Sequence, residues 1–284
     1  MGIAAIAWSL AGVMQRELSV STATQIAGRA LFACFALTGI VAMREGRNTV
    51  CVFRSMGRSE LALAALMACA MALFIFALNH SSVASVLFIQ ALAPFAAVVL
   101  AWVVLRERAS SRTLAATVVA VGGVALMAGS PGAGSKIGMA AAFAMTVAFA
   151  GTIVLARQRR DISMAPALVL SQVLVFVAFV GFARPSTVTR HDLLFLILLG
   201  FGQMGVGQAF FSMGARLIPA TEVAIITLLE VVLGPVWVWL AFRERPGATT
   251  LVGGAIVLGA VVLQATQSSL EKSLATEQST SVLS

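Results

Sequence analysis

The chain has 284 residues, 60% hydrophobic and 11% charged, with a formal net charge of +8. Soluble globular domains carry about 25% charged residues, so this composition excludes a soluble enzyme or scaffold and indicates a polytopic membrane protein. The positive balance does not imply nucleic acid as a partner, because the arginines cluster in short loops between apolar runs, where they orient helices in a bilayer.

Ten apolar spans follow in chain order, at 2–15, 22–43, 61–79, 83–105, 113–130, 137–156, 163–183, 193–214, 219–241 and 248–265. About 20 residues at 1.5 Å each cross a hydrocarbon core of roughly 30 Å. The first run has no basic leader, and Ile6 stands where a myristoylation signal needs Ser or Thr. It is therefore read as a transmembrane helix rather than a signal peptide or lipid anchor, and its shortness leaves open a start further upstream. Asn79-His80-Ser81-Ser82 joins the third and fourth spans as a tight turn, and Pro131-Gly132-Ala133-Gly134-Ser135 separates the fifth from the sixth. The polar Ser/Thr/Gln-rich tail, 267–284, is expected to be disordered. Cys34, Cys51 and Cys69 make no disulfide framework and are expected to pack. His80 and His191 have no spaced partners that would make a metal site, and no cofactor is expected.

With the N-terminus inside, cytoplasmic segments hold 12 Lys and Arg and outer loops hold 6. That bias places both termini in the cytoplasm. The expected location is the bacterial inner membrane.

The chain repeats itself. Leu105-Arg106-Glu107-Arg108 closes the fourth span, and Phe242-Arg243-Glu244-Arg245 closes the ninth, 137 residues later. The same offset pairs Gly122 with Gly259, and Ser82 with Pro219. Residues 1–132 and 133–266 are thus two copies of a five-helix unit. An odd number of spans per copy turns one copy upside down relative to the other. The expected fold is all-α, ten transmembrane helices in two inverted repeats, with a site near the midplane.

These residues resemble a known family. The two halves with their Arg-Glu-Arg ends, Arg29 early in the second span, and Gln90-x-x-x-Pro94 look like the EamA-like family of the drug/metabolite transporter superfamily. Leu229-Glu230 matches that family's Leu-Glu-Pro, with Val231 in place of the proline and Pro235 one turn later. The resemblance implies export or uptake of small metabolites such as amino acids by alternating access, and export is the direction expected here.

The residues themselves mark a pathway. Glu230 lies 11 residues into the ninth span, about 17 Å deep at 1.5 Å per residue. A charge at that depth costs at least about 2.5 kcal/mol and marks a substrate or ion path. It is a candidate to carry a coupled proton or to bind a substrate amine; the plainer role is a carboxyl held neutral or paired for helix packing. Thr227, Gly234 and Trp237 share its helical stripe. Arg29 is a candidate partner for a substrate carboxylate or for Glu230, or else it snorkels to the headgroups. In the eighth span Gln203 and Gln208 need partners away from water, while Gly200, Gly207 and Gly214 allow close helix approach. Gln90, Pro94, Asn79 and Trp8 complete the expected pathway. Gly122-Gly123 and Gly253-Gly254 are expected to pack the fifth and tenth spans within their own halves.

The partners expected are a small-molecule substrate, the lipid bilayer and a coupled proton, with oligomeric state open. No phosphate loop or hydrolase motif occurs, so an ATP-driven pump is not expected. The alternatives are a non-transporting sensor or assembly subunit and an intramembrane enzyme. The enzyme would need a nucleophile or metal cluster at one depth, and the sequence shows none.

Overall fold

The computed structural model describes residues 1–106, 110–128, 134–159, 164–214, 217 and 220–282, and for 212, 220, 221, 223–225, 227 and 267–282 the backbone alone. Among these residues the regular structure is helical, apart from one isolated bridge between Ser81 and Gly134. The helices are α1 (Gly2–Ser9), α2 (Ala11–Arg16), α3 (Thr22–Glu45), α4 (Thr49–Arg54), α5 (Arg58–His80), α6 (Val83–Gln90), α7 (Ala93–Leu105), α8 (Ser111–Ala128), α9 (Lys136–Gln158), α10 (Met164–Val180), α11 (Arg190–Ile197), α12 (Gly207–Gly214), α13 (Ala220–Phe242) and α14 (Ala248–Val282). A π-helical segment, Leu198–Val206, joins α11 to α12.

Hydroxyl side chains start several of these helices. Ser82 Oγ accepts from Ser85 N at 3.2 Å, Ser135 Oγ from Gly138 N at 3.0 Å, and Thr189 Oγ1 from Asp192 N at 3.1 Å. Each satisfies a backbone donor that the first turn leaves free.

Five segments are long and apolar enough to cross a membrane: Thr22–Arg54, Arg58–His80, Lys136–Gln158, Arg190–Phe211 and Ala248–Thr266. α6 and α7 make a sixth if their 40° bend is counted within one span. By length and composition, then, five or six of the ten expected crossings meet that test among the described residues. The first span is broken at Leu10 into α1 and α2. Ser111–Met127, Met164–Val180 and Leu228–Phe242 are apolar but short.

The exterior carries large apolar side chains such as Met43, Val118, Phe182 and Leu240, all more than half exposed. In water such a surface would drive aggregation; in lipid it is the natural outer face. The interior is rich in small residues, with Ala33, Ala64, Ala77, Ala142 and Ala150 fully buried. Small residues let helices approach where lipid supplies no hydrophobic drive. The chain is a multi-pass membrane protein.

The repeat is written in the backbone. Arg106 and Arg243 both take φ 55°, and they are the non-glycine residues with positive φ among those described. Both close a helix in the left-handed conformation that usually requires glycine. Just past α13, Glu244 accepts a hydrogen bond from Val83 N, at the first residue of α6, at 3.1 Å. α13 therefore ends where the α6–α7 rod begins, so Arg243 and Arg106 lie at opposite ends of the bundle. α3 runs between those ends, from one near Arg16 to one at Arg44.

Three expectations need correction. Gly123 and Gly253 pack against each other across the two halves, not each within its own: a Cβ on Gly123 would lie 2.7 Å from Gly253 O, and one on Gly253 2.4 Å from Gly123 O. Both close backbone contacts sit where α8 lies along α14. The tail expected to be disordered continues α14 as helix to Val282, through helix formers such as Leu270, Glu271, Lys272 and Ala275. Cys51 and Cys69 are exposed rather than packed, and Cys34 is half-buried.

Candidate functional site

α3 carries Arg29 into the interior, where it is 4% exposed. Its Nη2 donates to Gln203 Oε1 at 2.7 Å. The guanidinium also lies over the Phe74 ring of α5, 5.7 Å from its centroid, within cation–π range. Its Nε has no hydrogen-bond partner. Glu230 enters from α13 and is also buried. Arg29 and Glu230 act on each other through space without forming a direct ion pair. The cation thus comes from the first half, and the amide and the acid come from the second.

The π segment places the amide. Gly200 brings its backbone against α3, where a Cβ would lie 2.5 Å from Phe32 Cβ and 2.7 Å from Arg29 O. Gly205 does the same against Ala36 Cβ, at 2.5 Å. One turn between them, Gln203 points at Arg29. π-helical turns are rare and concentrate at functional sites.

α1 fills the space between α13 and the eighth span. A Cβ on Gly207 would stand 2.5 Å from Trp8 Nε1, and the Trp8 ring meets Phe211 with centroids 5.0 Å apart. Trp237 Nε1 donates to Ser9 Oγ at 3.0 Å. Gly234, on the stripe of Glu230, leaves room for Leu87 of α6. Trp8 of α1 thus meets Gly207 and Phe211 of the eighth span, and Trp237 of α13 is tied to Ser9 of α1.

Towards the Arg44 end lies a cavity of about 400 Å³. Arg44, Glu45, Met164, Pro166, Gln208 and Phe211 are among its walls. Phe211, the ring that meets Trp8, is one of its walls.

Three expected pathway residues, Pro94, Gln90 and Asn79, have other surroundings, and a fourth, Thr227, lies outside the described side chains. Pro94 is exposed, at the second position of α7, where a missing N–H costs nothing. Gln90 is half-buried at the end of α6, where the rod bends. Thr146 of α9 secures that bend by donating to Ile89 O at 3.2 Å. Asn79 belongs to a separate polar cluster, in which its amide donates to Thr22 Oγ1 at 3.2 Å and to Gln25 Oε1 and accepts from Gln15 Nε2 at 3.5 Å. Thr227 lies in α13, with its side chain outside the described residues.

Sequence reasoning missed Phe74 and Ser9. Neither is polar enough, or rare enough in an apolar run, to stand out until its neighbours are known. It also missed Asp192, fully buried at the start of α11. That carboxylate accepts from Ser19 N at 2.8 Å, Thr189 N at 3.1 Å and Thr189 Oγ1 at 2.6 Å, tying the α2–α3 loop to the eighth span.

Residues 1–129 and 136–266 each match the EamA-like transporter family. The chain belongs to the EamA-like transporter family. A solved crystal structure is similar in fold to this EamA-like chain, with a TM-score of 0.66 at 16% identity over 93% of this chain and 96% of that one. No curated protein matches it. The two matched segments divide the Arg29–Gln203–Glu230 group, Arg29 falling in the first and the other two in the second.

A buried guanidinium with one free N–H is a directional donor for an anionic group. A buried carboxyl nearby can accept from a cationic group or carry a proton. Those are the two chemical capacities of this site.

Proposed function

We propose that this EamA-like protein is a secondary transporter of small metabolites, amino acids or related compounds, working in the export direction across the bacterial inner membrane. The substrate crosses between two inverted five-helix repeats, 1–132 and 133–266, which make ten membrane segments in all. Alternating access exposes the Arg29–Gln203–Glu230 group to each side in turn, and both termini and the Arg44 end face the cytoplasm. Glu230 carries the coupled proton. Trp8 and Trp237 wall the site, and Gln208 lies on the approach.

One observation supports this reading above the rest. Arg29 of the first half bonds Gln203 of the second at 2.7 Å, while its Nε has no partner. A polar group left unpaired in a membrane interior costs several kcal/mol. A substrate carboxylate would satisfy it. The test is counterflow of labelled amino acids in proteoliposomes of the purified chain. Flux above that of empty liposomes is expected, and its absence across an amino-acid panel and a panel of related organic acids and amines overturns the reading.

A further inference from the structure

Resting on that transport reading, we infer that Arg16 and Glu244 form the latch that shuts one mouth of the pathway, in a structure open at the other. Arg16 closes α2. Its Nε donates to Glu244 Oε2 at 3.1 Å, its Nη1 to Leu78 O at 3.0 Å, and its Nη2 to Ser81 O at 2.9 Å. The other oxygen of Glu244 accepts from Val83 N at 3.1 Å. Four elements meet at this point: α2, the end of α5, the start of α6 and the loop after α13.

The halves contribute unequally. Arg16, Leu78, Ser81 and Val83 all belong to the first match to the family, and Glu244 alone to the second. When Glu244 withdraws, Arg16 keeps both carbonyl acceptors and Val83 N turns to water. Both charged side chains are only partly covered, 26% exposed for Arg16 and 27% for Glu244, so both can be rehydrated. An ion pair at such exposure is worth little on its own, which suits a contact that must break in every cycle. Beneath it, Gln15, Gln25 and Asn79 share hydrogen bonds and fill the same end of the bundle. At the far end the cavity of about 400 Å³ opens beside Arg44. The glutamate of the second Arg-Glu-Arg repeat thereby gains a role: it is the half of the latch that moves.

The test uses two cysteine reporters in the full chain, with Cys34, Cys51 and Cys69 replaced by alanine. Ala165→Cys stands in the wall of the cavity. Ser9→Cys lies seven residues below Arg16, about 10 Å at 1.5 Å per residue. A membrane-impermeant maleimide is applied to each face of sealed vesicles in turn. Ala165→Cys is expected to react fast from one face, and Ser9→Cys slowly from the other. Glu244→Gln should speed the Ser9→Cys reaction from that second face about threefold, the effect of losing one partly exposed charge pair on an opening equilibrium. Exchanging the charges, Arg16→Glu with Glu244→Arg, should slow it again.

An unchanged rate in a Glu244→Gln protein that melts at the parent temperature overturns the latch. So does an equal acceleration from both faces, which would mean general loosening. If Glu244→Gln does not fold, Glu244→Asp replaces it, being too short to hold both Arg16 and Val83 N. The labelling needs no substrate. Asymmetric labelling with no flux would therefore sink the transport reading alone, and flux with an unaltered Ser9→Cys rate would sink the latch alone.

Discussion

Arg29 and Gln203 lie 174 positions apart, and 2.7 Å separates the guanidinium nitrogen of one from the amide oxygen of the other. The bond crosses the boundary between the two matched segments. It joins α3 to a π-helical segment and leaves the Nε–H of the arginine unused.

Replacing Gln203 by leucine removes the acceptor and keeps the volume. A hydrogen bond to a charged group is worth about 1.5–3 kcal/mol, and the guanidinium would then be left buried with Phe74 as its neighbour. The purified Gln203→Leu protein is expected to lose about 2 kcal/mol, read as a fall in its melting temperature in detergent. Melting at the parent temperature would show that Arg29 finds another partner at no cost.

Arg29→Lys keeps the charge and loses the fork. One ammonium cannot hold the Gln203 oxygen while offering a second, fixed donor to a substrate. Flux in proteoliposomes should fall by more than about tenfold, the loss of one charged hydrogen bond, with stability affected far less than in Gln203→Leu. Parent-like flux in Arg29→Lys would limit the arginine to its charge.

Glu230→Gln removes the proton-carrying group without changing its shape. Folded yield should be unchanged. The dependence of flux on external pH should vanish, so that the variant gives one flat rate where the parent gives a slope. Normal flux with its normal slope at every pH would assign the proton to another group.

Asp192→Ala tests the anchor of the eighth span. The carboxylate serves four donors from Ser19 and Thr189 through bonds of 2.6–3.2 Å and also completes the capping box of α11. Its loss should cost about 2–4 kcal/mol, the sum of a lost cap and a buried charged network. Thermal unfolding in detergent measures it, and a shift within error would reduce the cluster to surface decoration.

Gly253→Ala and Gly122→Ala form a matched pair. The first puts a methyl 2.4 Å from Gly123 O, whereas the second meets nothing within 4 Å. Gly253→Ala should lower the melting temperature and Gly122→Ala leave it alone or raise it slightly, since alanine favours helix. Equal effects would mean that α8 and α14 are not held by that contact.

Much of the site could be read before any fold was known, for one physical reason. A charge or an amide in an apolar run costs so much that it must have a partner, which singled out Arg29, Gln203 and Glu230. The partner itself was not legible, because helical spacing tells which face a residue occupies and not which helix stands opposite. Asn79 shows the limit: polar and inside a span end, it is spent on Gln15, Gln25 and Thr22. Pro94 shows another, since a proline marks a bend without saying which side of it faces the protein. The repeat was legible from Arg-Glu-Arg, and the matching φ angles of Arg106 and Arg243 now give it a backbone form. The short first span hid its break at Leu10, because nothing in Ser9-Leu10-Ala11 differs from ordinary helix.

The wide turns of Leu198–Val206 have a consequence for the length of the chain. A π-bulge holds one residue more than the α-helix it interrupts. Wound as plain α-helix, the same residues would swing everything beyond them by about 100° around the axis. Phe211 would leave Trp8, Gln208 would leave the cavity wall, and Gly207 would no longer make room for the indole. The spare residue sets the compass bearing of the whole lower half of that rod.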